Sequence, residues 1–234
     1  MNSRQMIGII LAGGKGTRVK SEGVPKQYIR VNGKMILTFS LETLLLHPII
    51  TEVYIVAAEC WQNEILQDLS RDYGKQIHFA EPGKTRQLSI WNALMKIQVD
   101  HSETSDLAVL IHDGARPNLT SDMISACGEA LVCHDGVMPV LPMKDTVYYS
   151  ENGETISDLL NRSSVFAGQA PEGFLYDKYV EANRQLFPDR ILTINGSTEP
   201  AVMAGMDVAM IPGDENNFKI TTPQDLVRFR EQFC

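Results

Sequence analysis

Hydrophobic positions along this 234-residue chain form short solid runs that alternate with helical stripes. Met6–Leu11 is an unbroken apolar run rich in Ile, the pattern of a strand buried on both faces of a parallel sheet. Runs at 53–58, 107–111 and 137–141 repeat it, with a shorter strand at Ile77–Ala80. Between them, Ile36–Leu46 places Ile36, Leu37, Phe39, Leu41, Leu44 and Leu45 at the spacing of an amphipathic helix. Further helices are predicted at 61–69, 85–97 and 121–132, the last capped by Ser121. This alternation predicts an α/β domain built on a single doubly wound, mostly parallel sheet.

The rhythm breaks after Pro142. Segments 144–149 and 155–160 flank Glu151-Asn152-Gly153, which predicts a β-hairpin closed by a polar turn. This arm, residues 143–166, is an excursion from one domain that spans 1–234, not a second domain. Apolar patterning then returns at 176–186, 202–205 and 208–211, and a final helix starts with Thr222 as cap and Pro223 at its first position.

Charge and composition narrow the partners. A net charge of -8 argues against nucleic acid, whose backbone attracts basic surfaces, but leaves room for a nucleotide held by a local cluster of Lys and Arg. The four cysteines, Cys60, Cys127, Cys133 and Cys234, lack metal-type spacing and read as free thiols of a reducing compartment. No signal peptide is visible, and no apolar run approaches the ~20 residues of a membrane span. A soluble, cytoplasmic protein is expected.

Five segments carry candidate chemistry. Leu11-Ala12-Gly13-Gly14-Lys15-Gly16-Thr17-Arg18 follows the first strand, where glycines let backbone N–H groups approach phosphate and Lys15 and Arg18 add charge. It is neither a Walker loop nor a dinucleotide fingerprint, since Val19 stands where the third glycine belongs. Pro25-Lys26-Gln27-Tyr28 offers Lys26 as a point charge for a triphosphate. Gly83-Lys84-Thr85-Arg86-Gln87-Leu88-Ser89 enters a helix, with Gly83 open to close approach and the Ser89 hydroxyl free to meet a base or ribose. His112-Asp113-Gly114-Ala115-Arg116-Pro117 ends the strongest strand, where an open α/β sheet binds its ligands, so Asp113 is placed to hold a hard cation. Last, Asn217-Phe218-Lys219-Ile220-Thr221-Thr222-Pro223 puts Lys219 in a short strand before a helix N-terminus. Each segment alone also admits a bland reading, as a tight turn, a solvated lysine or a helix cap.

Taken together and in order, these segments resemble the cytidylyltransferases of 2-C-methyl-D-erythritol 4-phosphate and ribitol 5-phosphate along nearly the whole chain. The resemblance implies a nucleotide-diphospho-sugar transferase-like (glycosyltransferase-A-like) fold and a CTP- and Mg²⁺-dependent reaction that yields a CDP-polyol and pyrophosphate. It places the protein in isoprenoid or surface-glycan synthesis. By the same resemblance Ala12, Gly13, Gly14 and Gly16 wrap the CTP phosphates, and Gly83, Ser89 and Gly114 lie near cytosine and ribose. Asp113 holds the metal, and Arg18, Lys26 and Lys219 stabilise charge on the α-phosphate and pyrophosphate. Thr146 and Arg162 on the arm hold the acceptor's phosphate in a neighbouring subunit, which implies a homodimer.

Three departures leave the acceptor open, with 2-C-methyl-D-erythritol 4-phosphate first and ribitol 5-phosphate or another surface-glycan polyol or sugar phosphate as the alternative. Ala170 replaces a hydroxyl in Gln169-Ala170-Pro171-Glu172, where methylerythritol-type enzymes carry Thr-Pro-Gln. Ser197-Thr198-Glu199-Pro200-Ala201 stands in place of Thr-Asp-Glu-Ala-Ser, and Asn216 replaces an acid found in some members. Two other classes compete, a dinucleotide-binding redox module and a silent paralogue. The missing third glycine counts against the first, and retention of Arg18, Lys26, Asp113 and Lys219 against the second.

Overall fold

The computed structural model describes residues 3–14, 23–69 and 71–233. In chain order the first half comprises β1 (Met6–Leu11), β2 (Arg30–Val31), β3 (Lys34–Met35), α1 (Ile36–Leu46), β4 (Ile50–Val56), α2 (Glu59–Asp68), β5 (Ile77–Ala80), α3 (Arg86–Asp100), β6 (Ala108–Asp113) and α4 (Ser121–Ala130). There follow β7 (Gly136–Pro142), β8 (Val147–Tyr149), β9 (Asp158–Leu160), β10 (Phe166–Gly168), β11 (Glu172–Leu175), α5 (Tyr176–Arg184), α6 (Glu199–Met203), β12 (Val208–Pro212) and α7 (Pro223–Arg230).

The main sheet has eight strands in the order β10-β7-β11-β6-β1-β4-β5, with β12 paired to β7. Strands β1, β4, β5 and β6 run parallel, as does β12 with β7, whereas β10 and β11 run antiparallel to their neighbours. Successive side chains of a strand point to opposite faces, which explains the unbroken apolar runs. Met6 and Ile10 pack with α1 and α4, while Ile7 and Ile9 pack with α3 and α5. In β6, Leu110 goes with the first set, and Val109 and Ile111 with the second.

The chain leaves β1 for β4 and β5 on one side and returns to β6 on the other. The topological switch point therefore lies between β1 and β6, at whose carboxyl ends an open α/β sheet forms its ligand crevice.

Several local expectations change. Thr120, not Ser121, caps α4, accepting from the Met123 N–H at 3.2 Å. Lys219 lies in extended chain outside any strand. The arm forms as a hairpin, with Val147 opposite Leu160, but its strands are shorter than predicted. Its wide turn is organised by the Asn152 side chain, which accepts from the N–H groups of Glu154 and Thr155 at 2.9 and 3.0 Å. A second, unpredicted hairpin joins β2 and β3 through Asn32-Gly33, both at positive φ (49° and 81°), the geometry a two-residue turn requires.

Candidate active site

A cavity of about 570 Å³ opens at the switch point. Its lining includes Gly13 and Gly14 beyond β1, Lys26, the Gly83–Ser89 segment at the head of α3, Asp113 at the end of β6, and Lys219. Seven residues singled out in the sequence thus meet there: Gly13, Gly14, Lys26, Gly83, Ser89, Asp113 and Lys219. Ala12 and Gly114 stand behind this lining, where a Cβ added at Gly114 would reach the Leu11 carbonyl at 3.0 Å and the Ala12 side chain at 3.6 Å. Gly16 and Arg18 lie outside the described residues.

The glycine turn is fastened from below. The Gln27 amide donates to the carbonyls of Ala12 and Gly14 at 2.5 and 2.7 Å, and the Tyr28 hydroxyl donates to Ala12 at 2.8 Å. In a planar trans peptide the N–H opposes the carbonyl, so the Gly13 N–H faces away from Gln27. Gly13 has no room for a side chain, since a Cβ would sit 2.5 Å from Pro82. Gly14 meets nothing within 4 Å, which leaves its backbone open to a ligand.

At the head of α3, Thr85 caps the helix by accepting from the Leu88 N–H. The sequence predicts a free Ser89 hydroxyl, but the hydroxyl is engaged. It accepts from the Gly83 N–H and donates to the Thr85 carbonyl, both at 3.0 Å, and so closes the turn.

The electrostatic centre is Asp113, a buried carboxylate ringed by three cations. Arg86 donates to Oδ1 through Nε and Nη2 at 3.3 and 3.1 Å, while Arg116 Nε and Lys219 Nζ reach Oδ2 at 3.3 and 3.0 Å. Burial would raise its pKa, but the three cations prevail and hold Asp113 far below the usual carboxylate range. Lys219 reaches this position because the Ile220 peptide is held at both ends. Its N–H donates to Ala115 O at 2.8 Å, and its carbonyl accepts from Lys26 Nζ at 2.6 Å. His112, the neighbour of Asp113, is unsuited to act as a base. Burial pushes its pKa down to about 4, and its Nε2 lies 2.9 Å from the Arg116 carbonyl, an acceptor that requires the proton on Nε2.

Sequence reasoning did not weigh Arg86 as a site residue, nor Glu172 and Ser197 behind it. Arg86 was legible within a quoted motif. Glu172 and Ser197 sit in the two segments that depart from the family pattern, and no local spacing links them to α3.

Thr146 and Arg162 do not join the cavity. Both are exposed on the arm, and Arg162 Nη1 donates to the Lys144 carbonyl at 2.7 Å. The arm also exposes Ile156 (68%), Leu159 (59%) and Tyr148 (55%). Among the described residues no helix is long and apolar enough to cross a membrane.

Known proteins resemble this chain in sequence and fold. The family model for 2-C-methyl-D-erythritol 4-phosphate cytidylyltransferase matches residues 6–231. A 2-C-methyl-D-erythritol 4-phosphate cytidylyltransferase from Neorickettsia sennetsu is 35% identical, over 95% of this chain and 94% of its own. A ribitol-5-phosphate cytidylyltransferase from Vibrio parahaemolyticus is 29% identical, over 96% of this chain and 94% of its own. In fold, the chain superposes on the 4-diphosphocytidyl-2C-methyl-D-erythritol synthase of Anaerococcus prevotii with a TM-score of 0.81 at 22% identity, covering 98% of this chain and 96% of that one. A mixed α/β sheet with its cavity at the switch point, matched from β1 to the end of α7, places this chain in the 2-C-methyl-D-erythritol 4-phosphate cytidylyltransferase family of nucleotidyltransferases.

Proposed function

We propose that the protein transfers the cytidylyl group of CTP to 2-C-methyl-D-erythritol 4-phosphate and releases pyrophosphate. The observation that carries this reading is the ring of Arg86, Arg116 and Lys219 around Asp113, inside a cavity walled by a glycine turn. A phosphate oxygen of the acceptor forms a bond to the α-phosphorus while the bond from that phosphorus to the pyrophosphate breaks. The attacking phosphate is already ionised, so the reaction needs no general base. It needs positioning and fixed positive charge, which Lys26, Lys219 and Arg86 supply without reorganisation, and to which the family resemblance adds Arg18.

Asp113 suits a Mg²⁺ partner. It is the one acidic side chain lining the cavity among the described residues, and a hard cation of this size is commonly held by one or two carboxylates plus substrate phosphates and water. No cluster of three or more His, Cys, Asp or Glu competes for a metal among those residues. When bound, the ion would neutralise developing charge on the phosphates.

Thr146 and Arg162 supply the acceptor's phosphate site in trans. An isolated two-stranded hairpin is marginal in water, and its exposed Ile156, Leu159 and Tyr148 call for a covering surface. A homodimer in which each arm reaches the partner's cavity provides that surface. The free thiols and the lack of a spanning helix among the described residues fit a cytoplasmic setting.

Ribitol 5-phosphate is the second reading, favoured by the Ala12-Gly13-Gly14 start of the glycine turn. Pyrophosphate release with each nucleoside triphosphate against a panel of polyol phosphates tests both. CTP should be used well ahead of ATP, GTP and UTP, and equal use of all four would overturn the cytidylyl assignment.

A further inference from the structure

Arg86 is gripped at both ends. Its Nε and Nη2 face Asp113, while Nη1 donates to the Ser197 hydroxyl, which in turn donates to Glu172. Glu172 and Ser197 are buried, with 8% and 0% of their surfaces exposed. The Ser197 backbone is pinned as well, because its carbonyl accepts from the Tyr179 hydroxyl at 2.7 Å, and that hydroxyl accepts from Gln87 at 3.1 Å.

A buried carboxylate in the middle of a sheet is costly, and the fold alone does not ask for one at position 172, opposite Ile111 of β6. Burial pushes its pKa up to about 7, with Arg86 pulling the other way. The charged groups that act on it, Arg86, Asp113, Arg116 and Lys219, belong to the cavity ring. Two further groups, Tyr179 of α5 and Cys127 of α4, are themselves pushed upward by burial, with Glu172 adding to the rise. A guanidinium is a planar fork, so holding both edges removes its freedom to turn. Any ligand that competes for Asp113 loosens one edge, and the Ser197 contact keeps the other.

Resting on the transfer reaction proposed above, we infer that Glu172 is a positioning residue: through Ser197 it fixes the Arg86 guanidinium at the cavity wall, oriented in advance for the reacting phosphates. This assigns a task to two segments where the chain departs from the family pattern.

The test reads the guanidinium directly. In the full-length protein the Arg86 Nε–H resonance, identified by its loss in Arg86→Lys, should exchange slowly with solvent. Ser197→Ala and Glu172→Met should each speed that exchange by about tenfold, the effect of one lost hydrogen bond, while Ser197→Thr preserves protection. In turnover, Ser197→Ala should lower kcat about tenfold and leave KM for CTP within about twofold, with Ser197→Thr restoring the rate. Unchanged Arg86 exchange in Ser197→Ala overturns the positioning role, as does faster exchange with an undiminished kcat. Should Glu172→Met fail to fold, the two Ser197 variants decide. Should the wild-type protein transfer nothing, the reaction assignment falls while the exchange measurement still judges the Glu172–Ser197–Arg86 link.

Discussion

The cavity and the arm each carry basic residues proposed to meet a phosphate, in opposite settings. In the cavity, Lys219, Arg86 and Arg116 converge on one buried carboxylate at the ends of central strands, and their charge is in place before any ligand arrives. On the arm, Arg162 is exposed and hydrogen-bonded to a carbonyl of its own hairpin. Three half-buried cations gathered in one chain need an anion to offset part of their charge, and Asp113 supplies it. An exposed arginine requires no such partner, but it gains low-dielectric surroundings only when another surface closes over it. On the reading proposed above, one chain supplies the nucleotide side of the site and a second supplies the acceptor side.

The sharpest way to break this contrast is to remove charge on the cavity side. Lys26→Ala and Lys219→Ala should each lower kcat/KM by about 10²-fold or more with thermal stability little changed, as measured by pyrophosphate release and a thermal melt. Near-wild-type turnover in either variant would return that lysine to the solvated surface. On the arm, Arg162→Ala should bind CTP normally yet lose acceptor turnover by about 10-fold to 10²-fold. Co-expressed heterodimers of Arg162→Ala and Lys26→Ala should recover part of the activity, because one hybrid site is intact. Verified heterodimers without recovery, or a fully active monomer at micromolar concentration, would sink the shared site.

Two smaller effects separate the regions by stability. Glu172 has a folded pKa raised by burial from 4.5 to about 7, so the folded state holds its proton more tightly than the unfolded chain does. Its contribution favours folding at low pH and declines as pH rises through that window. Glu172→Gln should flatten the decline, gaining about 2–4 °C in Tm over wild type at pH 8 relative to pH 5, by calorimetry. Asp113 has the opposite sign, since its depressed pKa adds stability that disappears only in strong acid. Leu159→Ser on the arm should alter the chain's own stability by no more than about 0.5 kcal/mol while weakening self-association in sedimentation.

Much of this was legible in the sequence because strands β1 and β6 and helix α1 bury both faces or a full stripe, which leaves solid apolar patterns. The glycine turn and Asp113 could be placed because they follow those strands directly. Strands β10 and β11 were not legible, since their pairing depends on partners far along the chain and each has at most four residues. The Arg86–Ser197–Glu172 contact escaped for the same reason, being assembled from α3, β11 and the segment before α6. The β2–β3 hairpin carried the same Asn-Gly signal as the arm, but with strands of two residues it left no alternation to read.

The antiparallel strand β11 sits between β6 and β7, although it is made after both. Strands β1, β4, β5 and β6 can assemble as soon as Asp113 has been synthesised, but β7 has no neighbour in that half until Glu172–Leu175 arrives. A growing chain therefore carries one open edge of a wholly buried strand through the making of β7 and the entire arm. At ordinary rates of protein synthesis that interval lasts on the order of 3–12 s, long compared with hydrophobic collapse. During it the β6 edge is a template for pairing with any other chain. The strand that brings Glu172 behind the cavity wall is thus also the one that closes the β6 edge of the nascent sheet.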